Sequence, residues 1–156
     1  MLPIKKICCP TDFSEPSHEA LKVACEMAVH FNAELILVHV VTPIPVIPVH
    51  DDPTSFNLPL YEKEMEQSAV KSLKKMQQEK VPQSIQSRTA VIQGDPATQI
   101  VNLADTENMD MIIIATHGFT GWRKFMFGSV TEKVIRYANC PVLSIRMPPP
   151  QEKDSP

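Results

Sequence analysis

Three of the four glycines in this 156-residue chain, Gly118, Gly121 and Gly128, fall within ATHGFTGWRKFMFGSVTEKV, residues 115–134. Glycine lets the backbone approach a ligand closely or take positive φ. Gly128 and Ser129 stand at the start of a helical pattern, so they would present a helix N-terminus. Its unpaired N–H groups and dipole favour an anion such as phosphate, and the Ser129 hydroxyl could add one hydrogen bond. Arg123, Lys124, Lys133 and Arg136 outnumber the single acid Glu132 across residues 115–136. The blander reading is that Gly121 and Gly128 shape a turn and a helix start while the basic residues are solvated. The segment is not a Walker A loop, because it has no Gly-Lys-Ser/Thr.

A second stretch with chemistry in it is CCPTDFS, residues 8–14. Asp12 could accept hydrogen bonds from ribose hydroxyls or help hold a divalent cation bound to phosphates. Its alternative role is a turn or cap acceptor ahead of the following helix. A phosphorylated aspartate of the response-regulator kind is disfavoured, since the companion acidic pair and late-strand lysine are not evident. Of the histidines, His117 lies in the glycine loop near the proposed chemistry, where such a residue more often just hydrogen-bonds the loop. His39 sits inside an apolar run, and His18, His30 and His50 show no metal-binding pattern. No general base with a positioned partner stands by the motif, so efficient hydrolysis is not expected.

The elements that must hold these groups follow from periodicity. IKKICC (4–9), ELILVHVV (34–41), DMIIIA (110–115) and PVLSIR (141–146) are near-continuous apolar runs, as in parallel strands covered on both faces. SIQSRTAVI (84–92) is a weaker strand whose polar first half suits a sheet edge. Helical spacing links Ala20, Ala24, Met27, Ala28 and Phe31, with Ser14 as cap and Pro16 in the first turn. It also links Met65, Ala69, Leu73 and Met76 between Tyr61 and Lys80, and Ala97, Ile100, Val101 and Ala104 behind Asp95 and Pro96. A fourth set is Phe127, Val130, Val134 and Ala138. The alternation predicts an α/β fold, a three-layer α/β/α sandwich around a mostly parallel sheet, and a five-stranded parallel sheet of flavodoxin-like order 3-2-1-4-5 is the arrangement chosen for it. That order puts a topological switch between the first and fourth strands, where such sheets bind ligands at the carboxyl ends.

Residues 1–147 are expected to form a single domain and the polar residues 148–156 a disordered tail. Residues 41–59 carry five prolines, which forbid a continuous helix. They are expected to lie beside the crevice, against a partner chain, or to serve as a plain connector. With 43% hydrophobic and 21% charged residues, no apolar run near the ~20 residues of a membrane span, and no secretory-signal pattern, a cytoplasmic location is expected. The formal charge of −3 gives no field for nucleic acid or an anionic membrane, so an anion must be held by local geometry. Cys8, Cys9, Cys25 and Cys140 lack C-x-x-C spacing and are expected to be reduced core thiols.

With PTDFS after the first strand, and A-T-H-G followed after nine residues by G-S-V-T-E-K-V, the chain resembles the universal stress protein family from Ile4 to Arg146. Nucleotide-binding members carry G-x-x-G, nine residues, then G-Ser/Thr; Gly118, Gly128 and Ser129 match, and Ala115 stands at the first glycine. The resemblance implies an adenine nucleotide alpha hydrolase-like fold that binds ATP, ADP or AMP, with Mg²⁺ held through the phosphates and indirectly by Asp12. It places Pro10, Thr11 and Asp12 around the adenosine and the Val40 backbone at the base. Ile114, Ala115, His117, Gly118, Gly128, Ser129 and Val130 would surround ribose and phosphates. It further implies a homodimer through strand 141–146 and a role as stress sensor or regulator; an interaction module with a weak or empty site, binding another protein, is the alternative. At Ala115, positive φ would cost on the order of 1–2 kcal/mol. An extended backbone, the favoured case, costs one methyl against the ligand.

Overall fold

A computed structural model describes residues 3–43, 58–116 and 128–147. The apolar runs become β1 (Lys6–Pro10), β2 (Glu34–Val41), β3 (Ser87–Gln93), β4 (Met111–Ala115) and β5 (Val142–Ile145). The helices are α1 (Glu15–Phe31), α2 (Leu58–Lys80), α3 (Pro96–Thr106) and α4 (Ser129–Tyr137). All four strand pairings are parallel, and the order is β3-β2-β1-β4-β5, the order expected above.

The period of two along each strand divides the core into two layers. Ile7, Cys9, Leu35, Leu37 and Ile113 pack with Leu21 and Ala24 of α1 and Leu73 and Met76 of α2. Cys8, Ile36, Val38, Ile112 and Ile114 point the other way, onto Ala97, Ile100 and Ala104 of α3 and Val134 of α4. Burial on both faces explains why these runs are continuous rather than alternating. The edge strand β3 is half-buried through most of its length, in keeping with its weaker pattern.

Local signals set the helix ends. Ser14 caps α1, accepting from the Ser17 amide at 3.4 Å, and α1 ends at Asn32 in the left-handed region at φ 51. Asp95 caps α3 by accepting from the Thr98 amide at 3.0 Å and its hydroxyl at 2.8 Å, with Pro96 tolerated in the first turn. At the opposite end of the sheet, Arg88 donates to Glu34 at 2.9 Å and also bonds Glu107, tying β3, β2 and the end of α3 together.

Three expectations change. Met65 was placed on the core face, yet it is 44% exposed. At 23 residues α2 is about 34 Å long, whereas the eight-residue β2 spans about 26 Å, so the first turns of the helix overhang the sheet and burial begins at Ala69. The strand expected over 84–92 starts at Ser87, because the Ile85 amide turns back onto the Pro82 carbonyl at 3.0 Å and Ile85 is buried in that turn. Ala138 closes α4 as its C-cap instead of extending it. Phe127, most of the proline-rich stretch and the tail 148–156 lie outside the described residues.

Cys8, Cys9 and Cys25 are buried, Cys140 is half-buried, and all four are free thiols. Burial pushes Cys9 up to about 12 and Cys25 up to about 11, and Cys8 higher still. Since the folded thiol ionises above its ordinary value of 9.0, the stability linked to it is intact below pH 9 and declines as pH climbs toward 12. Iodoacetamide labelling of the native protein at pH 8, read by mass spectrometry, is expected to modify Cys140 first and to reach the other three only on unfolding.

Candidate functional site

The chain reverses its direction of sheet growth between β1 and β4, so the loops after these two strands diverge and leave a crevice at their carboxyl ends. A cavity of about 300 Å³ opens there, within the range of small-molecule sites. The strand ends contribute Pro10, Val38, His39, Val40, Ile114 and Ala115, and α3 adds Pro96 and Ile100. Thr11 and Asp12 come from the turn after β1 and Ser17 from the first turn of α1, and Gly128, Ser129, Val130 and Thr131 from the start of α4. Nine residues singled out in the sequence therefore converge: Pro10, Thr11, Asp12, Val40, Ile114, Ala115, Gly128, Ser129 and Val130. His117 and Gly118 lie outside the described residues, as do Gly121, Arg123 and Lys124.

The α4 end of the cavity presents a helix N-terminus. Gly128 is the N-cap at φ −60 and ψ 151, a conformation open to any residue, and it supplies no side-chain cap. Its own amide donates to the Thr116 carbonyl at 2.8 Å, and its carbonyl accepts from Glu132 at 3.0 Å, beginning the helix. The amides of Ser129, Val130 and Thr131 belong to the first turn, which no intrahelical acceptor serves. Glycine here is thus explained by what it leaves bare, not by its freedom of φ.

The local charge is more balanced than the composition suggests. Arg136 pairs with Glu132 at 3.1 Å, and Lys133 reaches Asp95 at 4.0 Å, bridging α4 to the cap of α3. The Thr98 amide and hydroxyl hold the Asp95 carboxyl below its usual range, with Lys133 adding to the effect. Among the described residues around the start of α4, Lys133 and Arg136 are thus both paired with acids.

Ala115 is extended and pairs with Ile145 in the β4–β5 ladder. It needs no positive φ, so the alanine contributes a methyl and no backbone strain. Its carbonyl accepts the Thr131 hydroxyl at 2.8 Å, which fixes the end of β4 to the first turn of α4.

Opposite, Asp12 does what its turn reading required while also lining the cavity. Its Oδ1 accepts from the Ser14 amide at 3.0 Å and from the Ser14 hydroxyl. The Thr11 hydroxyl accepts from the Phe13 amide at 3.0 Å and shares a hydrogen bond with Ser17 at 2.9 Å. These bonds hold Phe13 at φ 65, a left-handed conformation unusual for a bulky residue.

Sequence reasoning missed Val38, His39, Ser17, Pro96, Ile100 and Thr131. Val38 and Ile100 read as ordinary core residues, and Pro96 as a helix opener. Thr131 was within reach, since it follows the identified Gly128-Ser129-Val130 directly.

The profile described as the Universal stress protein family matches residues 3–146. The chain is 37% identical over 144 residues to universal stress protein MJ0531 of Methanocaldococcus jannaschii, covering 92% of this chain and 83% of that one. The structure of universal stress protein UspA from Lactobacillus plantarum superposes with a TM-score of 0.79 at 24% identity, covering 94% of this chain and all of that one. A universal stress protein solved in complex with cAMP superposes with a TM-score of 0.58 at 22% identity, covering 92% and 97%. At these identities the two structures speak for the fold, while the sequence match speaks for kinship: the chain belongs to the universal stress protein family.

Proposed function

We propose that this protein binds ATP or a related adenine nucleotide in the cavity between β1 and β4 and acts in the cytoplasm as a stress-response sensor or regulator through its occupancy. The observation that carries the reading is the bare first turn of α4 opening onto a cavity at the switch point. Phosphates would meet the amides of Ser129, Val130 and Thr131. The ribose would lie toward Asp12, and the base against the apolar side formed by Val38, Val40 and Ile100. The cAMP complex of a family member supports the choice of an adenine ligand. Among the described residues no three His, Cys, Asp or Glu side chains cluster as a metal site. Mg²⁺ would therefore be held chiefly by the phosphates, with Asp12 as its nearby carboxylate.

Calorimetric titration with Mg·ATP, ADP and AMP, together with identification of small molecules released on denaturation, tests the proposal. Saturable binding of at least one nucleotide supports it; no binding at millimolar concentration and no released nucleotide overturn it. Because Ala115 is extended, Ala115→Gly is expected to leave nucleotide affinity within about threefold while lowering stability by roughly 0.5–1 kcal/mol in a thermal melt.

A second reading concerns assembly. Within the described sheet β5 pairs with β4 alone, and its residues 142–145 are all half-buried. An apolar sheet edge of this kind invites pairing with another strand, and a homodimer through residues 141–146 would cover it. Light scattering at the concentrations of the nucleotide titration tests this, and a monomer there overturns it.

A further inference from the structure

We propose that His39 is a positioning residue that holds Asp12 toward the cavity, an inference that deepens the nucleotide reading and rests on it. His39 shares the parity of Leu35 and Leu37, which face α1 and α2, whereas Val38 and Val40 face α3 and α4. The half-buried imidazole gives up part of its hydration in so apolar a strand, and a polar partner offsets that cost. Its partner is the Thr11 carbonyl, 2.8 Å from Nδ1. A carbonyl can only accept, so Nδ1 carries the proton and the tautomer is fixed.

The same ring packs on Phe13, with centroids 4.5 Å apart and planes inclined by 35°. Thr11 and Phe13 are the two neighbours of Asp12, so one side chain grips the turn on both sides of the carboxylate. The turn needs such a hold, because Phe13 stays at φ 65 only while its surroundings enforce it. The other tie from β2 is main chain, the Thr11 amide donating to the Val38 carbonyl at 2.8 Å. The Ser17 contact comes from α1, the helix that the turn itself begins. Among the described residues, His39 thus supplies the side-chain hydrogen bond from the sheet to the turn, beside the apolar packing of Phe13 on the core.

The test compares His39→Phe, which keeps an aromatic ring against Phe13 but leaves the Thr11 carbonyl unpaired, with His39→Asn, whose amide can still donate to it. Mg·ATP affinity is expected to fall about 10-fold in His39→Phe and to return to within about threefold of wild type in His39→Asn. In an Asp12→Ala background, His39→Phe should add less than about twofold, because the carboxylate it positions is gone. A residue that merely stabilises the fold would lower Tm without this pattern. Wild-type affinity in folded His39→Phe, or full additivity with Asp12→Ala, overturns the proposal.

Hydrogen exchange separates this inference from the nucleotide reading. In the ligand-free protein the Phe13 and Ser14 amides should exchange about 10-fold faster in His39→Phe, with the β2 and β4 amides unchanged. If wild type binds no nucleotide, that reading alone falls and the exchange result decides whether His39 grips the turn; unchanged exchange at Phe13 and Ser14 refutes it.

Discussion

Gly128→Asp is expected to weaken nucleotide binding by at least about 100-fold, or roughly 2.7 kcal/mol, while leaving the protein as stable as wild type or slightly more so. The two effects share one cause. An aspartate at this N-cap would accept a hydrogen bond from a first-turn amide of α4 and place its carboxylate where the phosphates should lie. Two like unit charges about 4 Å apart repel by roughly 4 kcal/mol at the effective dielectric near a protein surface. Helix capping works in the opposite direction, since aspartate is a better cap than glycine by a few tenths of a kcal/mol. Gly128→Ala is the control, because φ −60 and ψ 151 admit alanine without strain. Calorimetric titration paired with thermal melts reads both quantities. If Gly128→Asp binds ATP as wild type does, the phosphates do not sit at α4.

Gly94→Ala is expected to destabilise the fold by about 1–3 kcal/mol, a Tm decrease of roughly 2–4 °C for each kcal/mol in a domain of this size. Gly94 has φ 138, which L residues rarely adopt. A Cβ there would lie 2.7 Å from Gln99 Nε2 and 2.9 Å from its Cγ. Unlike Gly128, this glycine is required by its conformation, and an added Cβ would also have to push the Gln99 side chain aside. Its amide also donates to the Val41 carbonyl at 3.0 Å, anchoring the turn that carries Asp95 and Pro96 into α3. Since Pro96 and Ile100 line the cavity, the variant should lose nucleotide affinity along with stability. A Tm equal to wild type would show that the turn relaxes freely.

The contrast between these two glycines shows where the sequence could be read and where it could not. Gly128 drew attention by standing with Gly118 and Gly121, and its place at a helix start followed from the spacing of Val130 and Val134. Gly94 is alone in its region, and its positive φ depends on a turn between β3 and α3 that composition does not encode. The strands were legible because Ile36 and Leu37 must both be buried, each on its own face. Met65 was misplaced because periodicity reports the face of a helix but not how far the sheet beneath it extends. His39 stands out in its apolar run, but its role is not legible for a related reason: its partner, the Thr11 carbonyl, is 28 residues away.

The cavity joins Pro10, Thr11, Asp12 and Ser17, from the first crossover, to Ile114, Ala115 and Gly128–Thr131, from the last. A molecule seated there would staple the first crossover to the last. Unfolding would then require its release, so the resistance of the chain to proteases would rise with ligand supply, by about 2.7 kcal/mol at a free concentration 100 times Kd. The lifetime of the protein in a cell would thereby become a gauge of its nucleotide pool.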